Sequence, residues 1–134
     1  MSALLKEITS ASKLNILIKK NEKMKNLNTT TDSKGCITQC GLKKYTPPVL
    51  RVDLQFKGSD SRSKNSKISK VFRLYTILYF LEYNQVGEIS HKCHNKGCIN
   101  IKHLIIEPHI INCSRRKCSQ QKFCSEHKQK CILK

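Results

Sequence analysis

Between Cys93 and Cys131 the chain sets out Cys and His at intervals that leave few folds open to it. From Cys93 it reads Cys93-His-Asn-Lys-Gly-Cys98-Ile-Asn-Ile-Lys-His103, a C-x4-C-x4-H spacing. From Cys118 to Cys131 it reads C-x5-C-x2-H-x3-C through Cys124 and His127. Zn²⁺ takes four soft or borderline ligands in a tetrahedron, and turns of this length can bring thiolates and an imidazole to one point. The second set supplies four ligands. The first supplies three and needs a fourth from upstream, where Cys36 and Cys40 are the candidates. Cys40 is favoured because it lies closer to the ribbon expected to pack on this loop, with Cys36 as the alternative. Gly97, beside Cys98, is expected to let the backbone turn sharply around the ion. Neither spacing is that of a C-x2-C finger, and closed four-ligand sites are structural, so two zinc staples are expected. His94, His109 and Cys113 are left without an assigned role.

The rest of the sequence needs such staples. The 134 residues are 38% hydrophobic and include no Trp, too little for a substantial core in a chain of this size. The N-terminus, Met1-Ser-Ala-Leu-Leu-Lys-Glu7, lacks the basic and long apolar regions of a signal peptide. A reducing, non-secretory location is therefore expected, where clustered Cys and His bind metal instead of pairing as disulfides. No apolar run approaches the roughly 18–20 residues of a membrane span. The net charge is +17, carried mostly by residues 42–73 and 91–134 on either side of a neutral apolar stretch. An excess of this size attracts a polyanion in a salt-dependent way.

Residues 2–28 read as a basic helix with an apolar stripe of Leu4, Leu5, Ile8, Leu14, Ile16, Leu17 and Ile18. Packing arm, dimer contact and DNA-backbone contact all remain open for it. Residues 28–35 read as a turn-rich linker. Val49 to Phe56 alternates, with Leu50, Val52, Leu54 and Phe56 on one face and Arg51, Asp53 and Gln55 on the other. Pro47 and Pro48 precede it, where they can start a strand. After a turn at Gly58, Arg62 to Ile68 can return as the second strand, and Lys57, Lys64 and Lys67 add to its basic character. Such a ribbon can enter a DNA major groove or be an ordinary half-solvated hairpin. Lys70 to Tyr83 reads as the core helix on the spacing of Val71, Leu74, Tyr75, Leu78 and Leu81. Glu88–Lys92 and Leu104–Ile106 read as short strands. Glu107-Pro108 opens a helix to about Lys117, with an acidic residue at the cap and Pro at its first position.

The run Ser90-His91-Lys92-Cys93-His94-Asn95-x-x-Cys98-x-Asn100-x-x-His103-Leu104, followed by Asn112 and the Cys118–Cys131 set, resembles the His-Cys box homing endonucleases. These are members of the ββα-metal, or His-Me finger, nucleases. The resemblance covers roughly residues 36–131. It implies a small α+β, zinc-stapled ββα-metal nuclease domain over residues 31–134, with an antiparallel ribbon, preceded by a basic helical arm over residues 1–30. It implies a site-specific, Mg²⁺-dependent double-strand DNA endonuclease of the intron-homing type. His91 would be the general base, Asn112 the side-chain ligand of one catalytic Mg²⁺, and Arg62 the phosphate-gripping residue, with Arg51 its rival. Arg51, Gln55, Lys57, Lys64, Lys67, Arg115, Arg116 and Lys117 would meet DNA. Double-stranded DNA is the expected partner, a homodimer is left open, and a nuclear or other DNA-containing compartment is expected. The alternative is a catalytically silent, zinc-dependent DNA-binding protein or regulator on the same scaffold.

Overall fold

The computed structural model describes residues 10–42, 46–55, 67–125 and 127–133. They form two compact units, one drawn from residues 1–27 and 49–86 and the other from 28–48 and 87–134.

In the first unit, strands β3 (Val49–Gln55) and β4 (Lys67–Arg73) pair antiparallel, from Val49 opposite Arg73 to Gln55 opposite Lys67. The alternation in β3 has its expected consequence: Leu50, Val52 and Leu54 are buried, while Arg51 and Asp53 are exposed. Fully burying side chains of this kind stabilises by about 1.5–3 kcal/mol each. Helix α1 (Ser10–Asn26) packs on β3 and on helix α2 (Leu74–Tyr83). Residues 10–26 of the segment read as an arm pack within this unit. Its stripe is narrower than expected. Ile16 is fully buried, whereas Leu14, Leu17 and Ile18 are exposed; Leu4, Leu5 and Ile8 lie outside the described residues.

The return strand is described from Lys67 to Arg73, so it runs on through a stretch read as helix, while its expected start at Arg62 lies outside the described residues. Register is the reason. Phe72 stands opposite Leu50 and shares its buried face, whereas Val71 stands opposite Arg51 on the exposed face. Strand pairing thus outweighs the helical spacing that counted Val71 into a stripe. Arg73 is still extended, at φ −64° and ψ 134°. The helix then begins at Leu74, burying Leu74, Tyr75, Ile77, Tyr79 and Phe80. It ends at Asn84, in the left-handed region at φ 52°, whose N–H reaches the Phe80 carbonyl.

The second unit is built on two short strand pairs. β1 (Thr29–Thr31) and β2 (Ile37–Gln39) form a hairpin where a linker was expected. Three successive β-branched Thr suit a strand, and Thr30 and Thr38 share a hydroxyl hydrogen bond across it. β5 (Ile89–His91) pairs antiparallel with β6 (Leu104–Ile106), placing His91 opposite Leu104. Helix α3 (His109–Gln121) follows at once and ends four residues later than expected. Pro108, at ψ 150°, is the flanking residue, not the first helical one. Strand, zinc loop, strand and helix make the ββα arrangement. The fold is small α+β, with antiparallel strand pairs and two Cys/His clusters that suit a zinc-stapled domain. Among the described residues, no helix is long and apolar enough to cross a membrane.

Candidate functional site

The loop joining β1 to β2 is shaped around a cysteine. The Asp32 carboxylate accepts from the N–H groups of Lys34 and Cys36, at 2.9 and 3.0 Å, a side-chain mimic of a backbone turn. Gly35 completes it at φ +88°, and a β-carbon there would stand 3.4 Å from the His103 ring. The positive φ calls for glycine. From the other side, Asn100 donates to the Gly35 carbonyl at 2.8 Å and accepts from the Lys102 N–H, shaping the single 3-10 turn Ile101–His103. Cys36, Cys93, Cys98 and His103 are thereby buried together, with one ligand atom from each within 4.8 Å of the others.

Cys36, not Cys40, takes the fourth position. Cys40 is exposed and outside the cluster. Proximity in sequence to the ribbon was the wrong criterion, because the turn of the β1–β2 hairpin is what brings a cysteine to the zinc loop. Gly97 is also needed for a different reason than expected. It has no left-handed φ, but a β-carbon there would come within 3.0 Å of the Thr46 carbonyl.

The second cluster is assembled from the end of α3. Lys122, at φ 58°, closes the helix by donating to the Cys118 carbonyl and turns the chain back. Cys124, His127 and Cys131 then join Cys118, again within 4.8 Å.

Both clusters have the geometry of zinc. Bonds of about 2.3 Å to sulfur and 2.0 Å to nitrogen at a tetrahedral angle put S and N roughly 3.6 Å apart. His103 Nδ1 lies 3.7 Å from Cys36 Sγ and 3.6 Å from Cys98 Sγ. His127 Nδ1 lies 3.4, 3.2 and 3.9 Å from the sulfurs of Cys118, Cys124 and Cys131. The other nitrogen of His127 is 2.7 Å from Ser114 Oγ, whose hydroxyl donates to the Ile111 carbonyl. That leaves Ser114 to accept from Nε2–H, so Nδ1 carries the lone pair a metal needs. The thiols are in electrostatic conflict on their own. In the first cluster a hydrogen bond from Cys93 pulls Cys98 down to about 5, while burial pushes Cys36 up to about 11. Cys93 is raised, first by its bond to Cys98. In the second, burial pushes Cys131 up to about 11. At Cys124 burial is outweighed by the Cys131 N–H and the His127 ring, which bring it down to about 6. A dication lets all three thiols of each set ionise. The two clusters fit two structural zinc ions.

On this frame stands His91, at the end of β5 and two residues before Cys93. Its Nε2 lies 3.1 Å from the Cys98 carbonyl oxygen. A carbonyl only accepts, so Nε2 carries the proton in this bond, and in the neutral ring Nδ1 is the basic nitrogen. Asn112 lies in the first turn of α3, its N–H bonded to the Pro108 carbonyl. Its side-chain amide donates to Glu88 Oε2 at 3.1 Å. Glu88 also lies 2.9 Å from His109 Nδ1, and these bonds to His109 and Asn112 hold its carboxyl below the usual range.

Arg115 is not on a DNA-facing surface. Only 2% exposed, it grips Glu107 through two bonds of 2.6 Å and donates to Cys131 Sγ at 3.2 Å. Glu107 is correspondingly not a helix cap. Burial, which would raise its carboxyl, is outweighed by Arg115, which holds it low. The expectation for Arg115 failed because three consecutive basic residues on a helix point in different directions; its neighbours Arg116 and Lys117 are exposed. The available signal was Glu107, an acidic residue just before the Pro that precedes the helix. Arg51 is exposed on β3, with a long contact of 3.4 Å to Ser69 Oγ. Arg62, Lys57 and Lys64 lie outside the described residues, as do the side chains of Gln55 and Lys67.

Two zinc-sized clusters bracketing a ββα unit define a zinc-bound domain of the His-Me finger type. The model of the zinc-binding loop region of homing endonuclease matches residues 53–134, and the chain belongs to that family. No curated protein and no solved structure matches it.

Proposed function

We propose that the protein is a site-specific, Mg²⁺-dependent double-strand DNA endonuclease of the homing type. The observation that carries this reading is the bond from His91 Nε2 to the Cys98 carbonyl. A zinc loop that fixes one imidazole nitrogen by a backbone acceptor prepares the other for proton transfer, a feature that binding alone does not require.

In the proposed reaction His91 Nδ1 takes a proton from the attacking water as its oxygen bonds to phosphorus. The bond to the 3′-oxygen breaks, leaving a 5′-phosphate and a 3′-oxyanion that takes a proton from a second water to become the 3′-hydroxyl. The amide oxygen of Asn112, in the first turn of α3, suits a hard cation. Asn112 would hold it. When bound, Mg²⁺ neutralises charge building on the phosphoryl and leaving oxygens. Arg62, or Arg51 in its place, would grip a phosphate. Arg51 and Gln55 would read bases from the ribbon, while Lys57, Lys64, Lys67, Arg116 and Lys117 would meet the DNA backbone.

The test is a plasmid-nicking and linearisation assay with and without Mg²⁺, run beside a zinc count. His91→Ala is expected to slow cleavage by at least about a hundredfold, the scale of a lost general base, with two zinc equivalents and DNA affinity retained. DNA retention without Mg²⁺-dependent cleavage by the wild type would instead make the protein a silent DNA binder. Loss of zinc in His91→Ala would make His91 a structural residue.

A further inference from the structure

Glu88 and His109 belong to neither zinc cluster, yet Glu88 bonds both to His109 and to Asn112. Glu88 directly precedes β5, and its backbone carbonyl accepts from the Glu107 N–H at 3.0 Å, where β6 leads into α3. Its two carboxylate oxygens lie 2.9 and 3.1 Å from His109 Nδ1. Oε2 also accepts from Asn112 Nδ2 at 3.1 Å. His109 and Asn112 are three residues apart on α3, so they share a helix face, and the carboxylate is held by that face.

The chemistry of this contact determines which end of the Asn112 amide is presented. A side-chain amide has a donor end and an acceptor end of nearly equal size, and its hydrogen-bond partners decide between them. An ionised carboxylate offers only acceptors. Turning the amide round would set Oδ1 against Glu88 Oε2, two oxygens without a proton between them. The NH2 end therefore faces Glu88 and Oδ1 faces away from it. A hard cation requires that oxygen and is repelled by the NH2 end.

We propose that Glu88 is a positioning residue: it fixes the Asn112 amide so that Oδ1 is available to a divalent cation, and His109 in turn holds Glu88 in place. This inference rests on the reading of Asn112 as the cation's side-chain anchor.

The zinc-loaded full chain, labelled with ¹⁵N, provides a test independent of cleavage. The Asn112 side-chain NH2 signals are identified as the pair lost in Asn112→Ala. Paramagnetic Mn²⁺ is then titrated, and its broadening of that pair is followed. Glu88→Ala is expected to require about fivefold more Mn²⁺ for equal broadening, the scale of one lost orienting hydrogen bond. In the nicking assay the half-saturating Mg²⁺ should rise by a similar factor, with the rate at saturation little changed. Glu88→Gln should restore most of the effect, because its amide oxygen still accepts from Asn112 Nδ2. Unchanged Mn²⁺ and Mg²⁺ curves in a folded Glu88→Ala would overturn the proposal. So would Glu88→Gln as impaired as Glu88→Ala, since Glu88 would then act through its charge or as a ligand. If Asn112→Ala itself leaves the Mg²⁺ response of cleavage unchanged, the anchor reading falls first.

Discussion

Arg115 and Arg116 are adjacent in sequence and have opposite environments. Arg115 is buried on Glu107 and on the Cys131 sulfur, whereas Arg116 is exposed. Removing one partner of a buried, bidentate pair leaves the other charge unpaired, at a cost of about 3–5 kcal/mol. Arg115→Ala is therefore expected to lower the urea midpoint sharply and loosen the second zinc. Arg116→Ala should leave both unchanged and weaken DNA retention equally on all sequences. A stable, zinc-replete Arg115→Ala would contradict the role given to the pair. Arg115→Lys should recover little, because an ammonium cannot span both carboxylate oxygens and a thiolate with fixed planar geometry.

The β1–β2 hairpin buries none of its strand residues fully. All three residues of β1 are exposed, and the hairpin's turn presents Cys36 to the zinc loop. A two-stranded hairpin is marginal in water by itself, so its order should depend on the ion. Cys36→Ser is expected to cost one of two zinc equivalents and the protection of β1–β2 amides from exchange, whereas Cys40→Ser should keep both. Elemental analysis and hydrogen exchange on the two variants check this directly. The β3–β4 ribbon makes the opposite case, because Leu50, Val52, Leu54 and Phe72 hold it by packing. Arg51→Ala should leave its stability near that of the wild type. Its effect should fall on sequence preference, read by selection from a randomised DNA library; unaltered preference would remove the ribbon as the reader.

For the whole molecule, charge and zinc make the controlling contributions. With a net charge of +17, log affinity for DNA should fall with log salt by about 0.9 per phosphate neutralised. A slope near zero would exclude backbone-driven binding. Chelation should unfold the second unit instead of merely inactivating it, because buried thiols and imidazoles would lose the cation that reconciles them. Retention of tertiary signal after both ions are removed would show that its packing suffices.

The second metal set, three ligands of the first, the ββα elements around them and the alternation of β3 could all be read from the amino-acid order. Each depends on spacing between near neighbours: a few residues of turn between ligands, or a period of two along a strand. Other features depended on contacts between residues far apart in the chain. Cys36 was chosen over Cys40 by an Asp32 turn with Gly35 in the left-handed region, which brings it to His103. Val71 was placed on a strand by its register with Arg51, although its local spacing is helical. Arg115 was turned inward by Glu107 and Cys131, although its neighbours mark a basic surface. Local spacing specifies which groups can meet. The meeting itself depends on burial and on hydrogen bonds supplied by distant segments, and these arise only when the chain has folded.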